Sequence, residues 1–201
     1  MSKKDNKDEK IQIVAFSTNE NEQTPNDLFT VLLKQHDHSI IKHSNRTLAF
    51  SMKLNDEKKQ KKIMICSIFN LSIEYSGIAD VNCYILFIDL EKEDSNEKLK
   101  LIIAFINQYC NLNKKFYILG MISGKEGENK YLTQEDIIKN INNDQDNIND
   151  YEYKEINISE ISEFSNVLMD ILIYSSNHPK GSNKNRYEDR KSGQDKSCEI
   201  F

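Results

Sequence analysis

Apolar residues fall along the chain in blocks whose spacing switches between that of strands and that of helices. Residues 11–16 (IQIVAF) are almost continuously apolar and read as a buried strand. A polar loop follows, and Pro25 suits the first turn of a helix over 26–35, with Leu28, Phe29, Val31, Leu32 and Leu33 on its apolar face. Residues 36–45 are polar and read as irregular. Residues 47–54 alternate like a half-buried strand, 55–61 form a charged turn, and 62–69 return as a strand carrying Ile63, Ile65 and Ile68. After a short connection, residues 81–90 (VNCYILFIDL) form the most continuously apolar strand, as expected of a central parallel strand covered on both faces.

In the second half, Leu99, Ile102, Ile103, Ile106 and Tyr109 recur at helical spacing, which predicts a helix over 95–112 capped by Ser95. Residues 116–122 read as another buried strand. Thr133 and Asp136 resemble a capping box opening a short helix to 142, ahead of an Asn/Asp-rich loop. Residues 151–158 read as the last strand. Ser159 is placed to cap a helix to 174 with Ile161, Phe164, Val167, Leu168 and Ile171 facing inward. The order β-α-β-β-β-α-β-α-β-α predicts a three-layer α/β domain: a mostly parallel six-stranded sheet with one antiparallel hairpin. Its ligand edge would lie at the carboxyl ends of the strands.

Three segments follow: a charged, disordered amino terminus (1–10), the domain (11–175) and a flexible tail (176–201). The 201 residues suffice for one domain with a sizeable core. A net charge of −5 with both signs interspersed gives no nucleic-acid signature. Of the four cysteines, Cys66, Cys83 and Cys110 sit in apolar runs as small core residues, without metal or redox spacing. No apolar run is long enough to span a bilayer, and residues 1–10 do not read as a signal peptide.

A strand, a loop and a helix near the amino terminus are where a phosphate-binding loop of the form G-x-x-x-x-G-K-[ST] stands in nucleotide-binding proteins. Laid on without gaps, the template puts Ser17 and Glu22 at its glycines, Gln23 at its lysine and Thr24 at its Ser/Thr. Only Thr24 satisfies it. Glycines let backbone amides close on phosphate and the lysine neutralises it; here Glu20 and Glu22 bring negative charge instead.

The opening IQIVAF, the stretch Ala79-Asp80-VNCYILFI-Asp89-Leu90 and the strand FYIL-Gly120 together resemble the small GTPases of the Ras and Rab superfamily over residues 11–175. The family's nucleotide motifs do not carry over. Ser67-Ile68-Phe69-Asn70-Leu71-Ser72 stands where D-T-A-G-Q is expected. Met121-Ile122-Ser123-Gly124 replaces the guanine-selecting N-K-x-D, and Asn157-Ile158-Ser159 replaces S-A-K. Losing the lysine, the amide cradle and both carboxylates removes every strong charge-assisted contact to a nucleotide. The resemblance therefore implies a pseudo-GTPase: no catalysis, no cofactor, and a non-functional degenerate loop at Ser17, Glu22, Gln23 and Thr24. It would be an interaction or scaffold subunit in vesicle or ciliary trafficking, docking protein partners through the strand pair 47–69. Two alternatives stay open. One is a divergent GTPase that still binds GTP or GDP with Mg²⁺ on Thr24 and Thr47. The other is an unrelated α/β adaptor.

The terminal Cys198-Glu199-Ile200-Phe201 fits C-a-a-X, and Phe in the last place favours geranylgeranylation of Cys198. One prenyl chain anchors marginally, and a second signal is supplied by Lys180, Lys184, Arg186, Arg190, Lys191 and Lys196. The expectation is a peripheral protein on the cytoplasmic face of a membrane. His36, His38 and His43 cluster in a polar stretch and read as solvated rather than as zinc ligands. Glu91, Glu93 and Asp94 read as a helix-entry surface, and Gly124-Lys125-Glu126-Gly127 as a surface turn.

Overall fold

The apolar blocks fold, in the computed structural model, into one mixed seven-stranded sheet covered by helices on both faces. Residues 10–19, 24–54, 59–68, 71, 78–124, 130–142 and 148–178 are described. The elements in chain order are β1 (Lys10–Ser17), α1 (Pro25–Leu33), β2 (His38–Ser44), β3 (Thr47–Met52), β4 (Lys61–Ile68) and β5 (Cys83–Asp89). They continue with α2 (Ser95–Tyr109), β6 (Lys115–Ile122), α3 (Gln134–Asn142), β7 (Tyr151–Asn157) and α4 (Ile161–Asn177).

Strand periodicity sorts the side chains between two cores. Ile13 and Ala15 of β1 and Ile85 and Phe87 of β5 point to the face covered by α1 and α4. Val14, Phe16, Tyr84, Leu86 and Ile88 point to the face covered by α2 and α3. On the first face the Phe29 ring meets Phe87 edge-on at 6.3 Å. On the second, Tyr84 stacks on Phe116 at 4.5 Å, and its hydroxyl donates to the Ile78 carbonyl at 2.7 Å. Aromatic pairs in these geometries add about 1 kcal/mol each beyond their buried area.

The sheet order is β2-β3-β4-β1-β5-β6-β7. From β4 through β1 and β5 to β7 every pairing is parallel. The other two, β2 with β3 and β3 with β4, are antiparallel. The expected six strands with one hairpin are thus corrected to seven with two successive antiparallel pairings. The added strand is β2, which the sequence reading left as a polar, irregular stretch. It runs along the outside of the sheet with Ser39 to Ser44 exposed, so no buried side imposes alternation on it. Pairing with β3 and the side chain of Asn26 hold it: Asn26 Nδ2 donates to the carbonyls of Ser44 (2.8 Å) and Asn45 (3.1 Å). The Ser67 hydroxyl completes this buried joint by donating to Asn26 Oδ1 at 2.7 Å.

Smaller corrections follow from tertiary contacts. β1 begins at Lys10, α2 ends at Tyr109, and α4 runs from Ile161 to Asn177, past the expected domain end. Ser95 and Ser159 are not caps. Ser95 is the first residue of α2, its Oγ 3.3 Å from Thr18 Oγ1, and the Ser159 hydroxyl donates to the Ser123 carbonyl at 2.9 Å. Among the described residues no helix is long and apolar enough to cross a membrane.

Candidate functional site

After β1 the chain leaves toward β2–β4, and after β5 toward β6 and β7, so the direction of winding reverses between two adjacent strands. In open α/β sheets the crevice outside the carboxyl ends at such a point is where ligands bind. Here that edge is bounded by Ser17-Thr18-Asn19 after β1, Asp89 to Lys92 after β5, Ser123-Gly124 after β6 and Asn157 to Ser159 after β7.

The residues that directly follow β1 are folded onto β5. Ser17, Thr18 and Asn19 are buried. The Thr18 amide donates to the Phe87 carbonyl at 3.0 Å, and the Asp89 amide donates to Thr18 Oγ1 at 2.9 Å. Asn19 donates from Nδ2 to Asp89 Oδ2 at 2.9 Å, while its Oδ1 accepts from Lys92 Nζ at 3.0 Å. The Ser17 hydroxyl oxygen accepts from the Asn19 amide at 3.0 Å. Polar groups that a phosphate would engage are thereby bonded to one another.

Thr24, the one residue matching the phosphate-loop template, is the N-cap of α1. Its amide and hydroxyl both donate to Asp27 Oδ2, at 3.0 and 2.7 Å, and the Asp27 amide donates back to Thr24 Oγ1 at 3.2 Å. This capping box explains Thr24 without a metal. Pro25 at the next position has no N–H, so the helix start offers one amide fewer to an anion. Glu22 and Gln23 lie outside the described residues, as do Cys198 and the basic tail residues.

The far half of the edge centres on Glu91. Its carboxylate accepts from the Ser123 amide at 2.8 Å, from the Ser123 hydroxyl in a short contact and from the Gly124 amide at 3.2 Å. These bonds, the Ser123 hydroxyl first among them, hold the Glu91 carboxyl below its ordinary value. The Glu91 carboxylate thus ties the turn after β5 to the residues that follow β6. Asn157 continues the chain of contacts: its Nδ2 donates to the Gly124 carbonyl at 3.4 Å and its Oδ1 accepts from the Ser159 amide at 3.0 Å. The sequence marks Glu91 only as part of an acidic helix-entry surface, and Asn19 not at all. The Glu91 bonds close across 32 residues, and no local pattern announces them.

His36 Nε2 lies 3.4 Å from Ser165 Oγ, and His38 Nδ1 lies 2.8 Å from the His36 carbonyl oxygen, while His43 is on the exposed strand β2. Among the described residues no group of three or more His, Cys, Asp or Glu is placed to hold a metal. Burial pushes the Cys83 thiol up to about 12 and the Cys110 thiol higher still, so both remain protonated and unreactive.

No family model matches the chain, and no curated protein matches it at a significant level.

The Glu91 bonds predict a pH effect. A folded-state carboxyl held below its unfolded value stabilises the fold above that unfolded value, and this contribution disappears as pH falls through the folded one. Glu91→Gln is expected to lower the melting midpoint at neutral pH and to flatten the acid limb of the stability profile. Identical acid limbs for the variant and the parent chain would refute the assignment.

Proposed function

We propose that this chain is a non-catalytic, Ras/Rab-like pseudo-GTPase that works as a protein-interaction subunit. The reading extends to a tether: a prenyl group on Cys198, helped by Lys180, Lys184, Arg186, Arg190, Lys191 and Lys196, would hold the domain on the cytoplasmic face of a membrane. A place in vesicle or ciliary trafficking follows from the resemblance alone.

One observation carries the reading. Directly after β1, Ser17, Thr18 and Asn19 are buried, with Ser17 bonded to the Asn19 amide, Thr18 to Asp89, and Asn19 to Asp89 and Lys92. Binding a nucleotide there would require those bonds to break, with no glycine-rich amide cradle to compensate. The central β1, parallel to both neighbours, and an antiparallel strand pair beyond β4 are compatible with a domain of the Ras type.

The test is nucleotide content. The full chain, purified without added nucleotide, is denatured and the released small molecules are separated by chromatography; a fluorescent GDP analogue is then titrated with Mg²⁺ present. No released nucleotide and no binding at high micromolar concentration is the expected result. Stoichiometric guanine nucleotide would overturn the proposal. Thr24→Ala should cost about 1 kcal/mol of stability, as lost caps do, and leave the nucleotide result unchanged. A change in nucleotide retention on that substitution would instead favour a working GTPase with Mg²⁺ on Thr24. The tether is read separately from the mass of the chain made in eukaryotic cells, where an unmodified Cys198 would remove it.

A further inference from the structure

Strand β2 is the terminal strand of the sheet, and β3 is its neighbour in that sheet. Its adjacent residues Ile40 and Ile41 leave 53% and 59% of their surface in solvent. Exposed isoleucines on an open edge favour pairing with another chain, and soluble proteins usually avoid them. A register shift between Ile40 and Lys42 marks a bulge at Ile41. The rest of the strand, from Ile40 to His38 and from Lys42 to Ser44, keeps regular partners in β3.

Charge narrows the choice of occupant. β2 reads His38-Ser39-Ile40-Ile41-Lys42-His43-Ser44, with cationic or titratable groups and no carboxylate. Exposed Lys53 follows Met52, the partner of His38, and exposed Lys34 closes α1 just before the strand. Asp37 is the one acid immediately preceding β2. A second copy of this chain fits less well: antiparallel pairing of two β2 strands about Ile40 and Ile41 would set Lys42 against Ser39 and bring no carboxylate to either Lys42.

We propose that the free edge of β2 takes up an extended acidic segment of a partner protein as an added strand. Main-chain hydrogen bonds would supply the pairing, alternate apolar residues would cover Ile40 and Ile41, and Asp or Glu side chains would face Lys42 and Lys53. This deepens the interaction-subunit reading above and rests on it. It moves the docking surface outward from the strand pair 47–69, because β2 lies outside β3.

The experiment uses the full chain, isotopically labelled, and two blocked octapeptides, one alternating Glu with Val and one alternating Lys with Val. Backbone amide shifts and hydrogen exchange are recorded residue by residue. The Glu/Val peptide is expected to slow exchange on β2 by about tenfold or more, as newly paired amides do, while the Lys/Val peptide has no effect. Lys42→Glu, an exposed position, should reverse that preference. An equal response to both peptides, a response confined to other elements, no response, or a mass that doubles with concentration would each overturn the proposal. Nucleotide released from the same preparation separates the two readings. A nucleotide-free chain with a silent β2 refutes the acidic strand alone, whereas bound nucleotide refutes the pseudo-GTPase.

Discussion

Asn82→Ala is expected to lower the melting midpoint by roughly 5–10 °C, through a cost of about 2–3 kcal/mol. Asn82 is buried at the amino edge of the sheet, just ahead of β5. Its Oδ1 accepts from the Gln12 amide at 2.8 Å, and its Nδ2 donates to the carbonyls of Ser175 (3.0 Å) and His178 (3.1 Å). One carboxamide thus joins β1 and β5 to the last turn of α4, whose final carbonyls have no partner further along their own helix. Truncation removes three hydrogen bonds and leaves buried polar groups exposed to nothing that can pair with them.

Asn82→Asp tests the same joint through its charge. The acceptor survives, but an ionised carboxylate would face two carbonyl oxygens. Repulsion raises the folded-state pKa above the unfolded value of about 3.9. The folded chain then holds its proton more tightly, so stability is present below the unfolded pKa and is lost as pH rises through the folded one. The Asp variant should therefore sit furthest below the parent chain at neutral pH and approach it near pH 4 or so. An Ala variant melting within a degree or so of the parent, or an Asp variant with the same deficit at all pH values, would rule this out. The joint also holds residue 178 at the amino edge of the sheet.

The parts of this fold that were legible in the sequence are those buried on both sides. β1, β5 and β6 announce themselves because the residues of their central stretches are buried and mostly apolar, whichever way they point. α3 was legible from its start, since Thr133 and Asp136 bond as a capping box must, with the Thr133 hydroxyl donating to Asp136 at 2.7 Å. β2 was not legible because an edge strand exposed on both faces carries no period. Its stability comes from Asn26 and β3, which its own residues do not encode. The hydroxyls of Ser95 and Ser159 were misread for a related reason. Local spacing makes each a good cap, yet tertiary partners, Thr18 and the Ser123 carbonyl, claim both.

At the carboxyl edge, sequence alone located the loop after β1 and the failure of its phosphate-binding template. It did not reveal what fills the place. Thr24, a metal ligand under the GTPase alternative, caps α1 in the structure, a role its spacing to Asp27 already allowed. Asn19, Asp89 and Lys92 act together only because β1 and β5 are adjacent in the sheet, more than 60 residues apart in the chain.

Gly120→Ala is expected to destabilise the chain by about 1–3 kcal/mol, the usual range for overpacking a filled core. A Cβ at Gly120 would lie 2.8 Å from Tyr153 Oη and 3.0 Å from Leu90 Cδ1. The first distance is too short for carbon and the second is tight, so the Tyr153 ring and the Leu90 side chain must give way. Among the described residues the buried Tyr153 hydroxyl has no hydrogen-bond partner. Tyr153→Phe should consequently be neutral or slightly stabilising, because it deletes an unpaired polar atom rather than a bond. Combined with Gly120→Ala it also opens space for the new methyl group. Denaturant unfolding of the four proteins is expected to show a favourable coupling of about 1 kcal/mol, with the remaining cost set by Leu90. Additivity within about 0.5 kcal/mol would mean that Tyr153 is not the obstacle. The same substitution reaches the candidate site. Leu90 donates its amide to the Met121 carbonyl at 3.0 Å and directly precedes Glu91, whose carboxylate holds Ser123 and Gly124. Displacing Leu90 should loosen that carboxylate from its donors and bring its pKa back toward the ordinary range. The acid limb of Gly120→Ala should therefore resemble that of Glu91→Gln, and Tyr153→Phe should restore part of it.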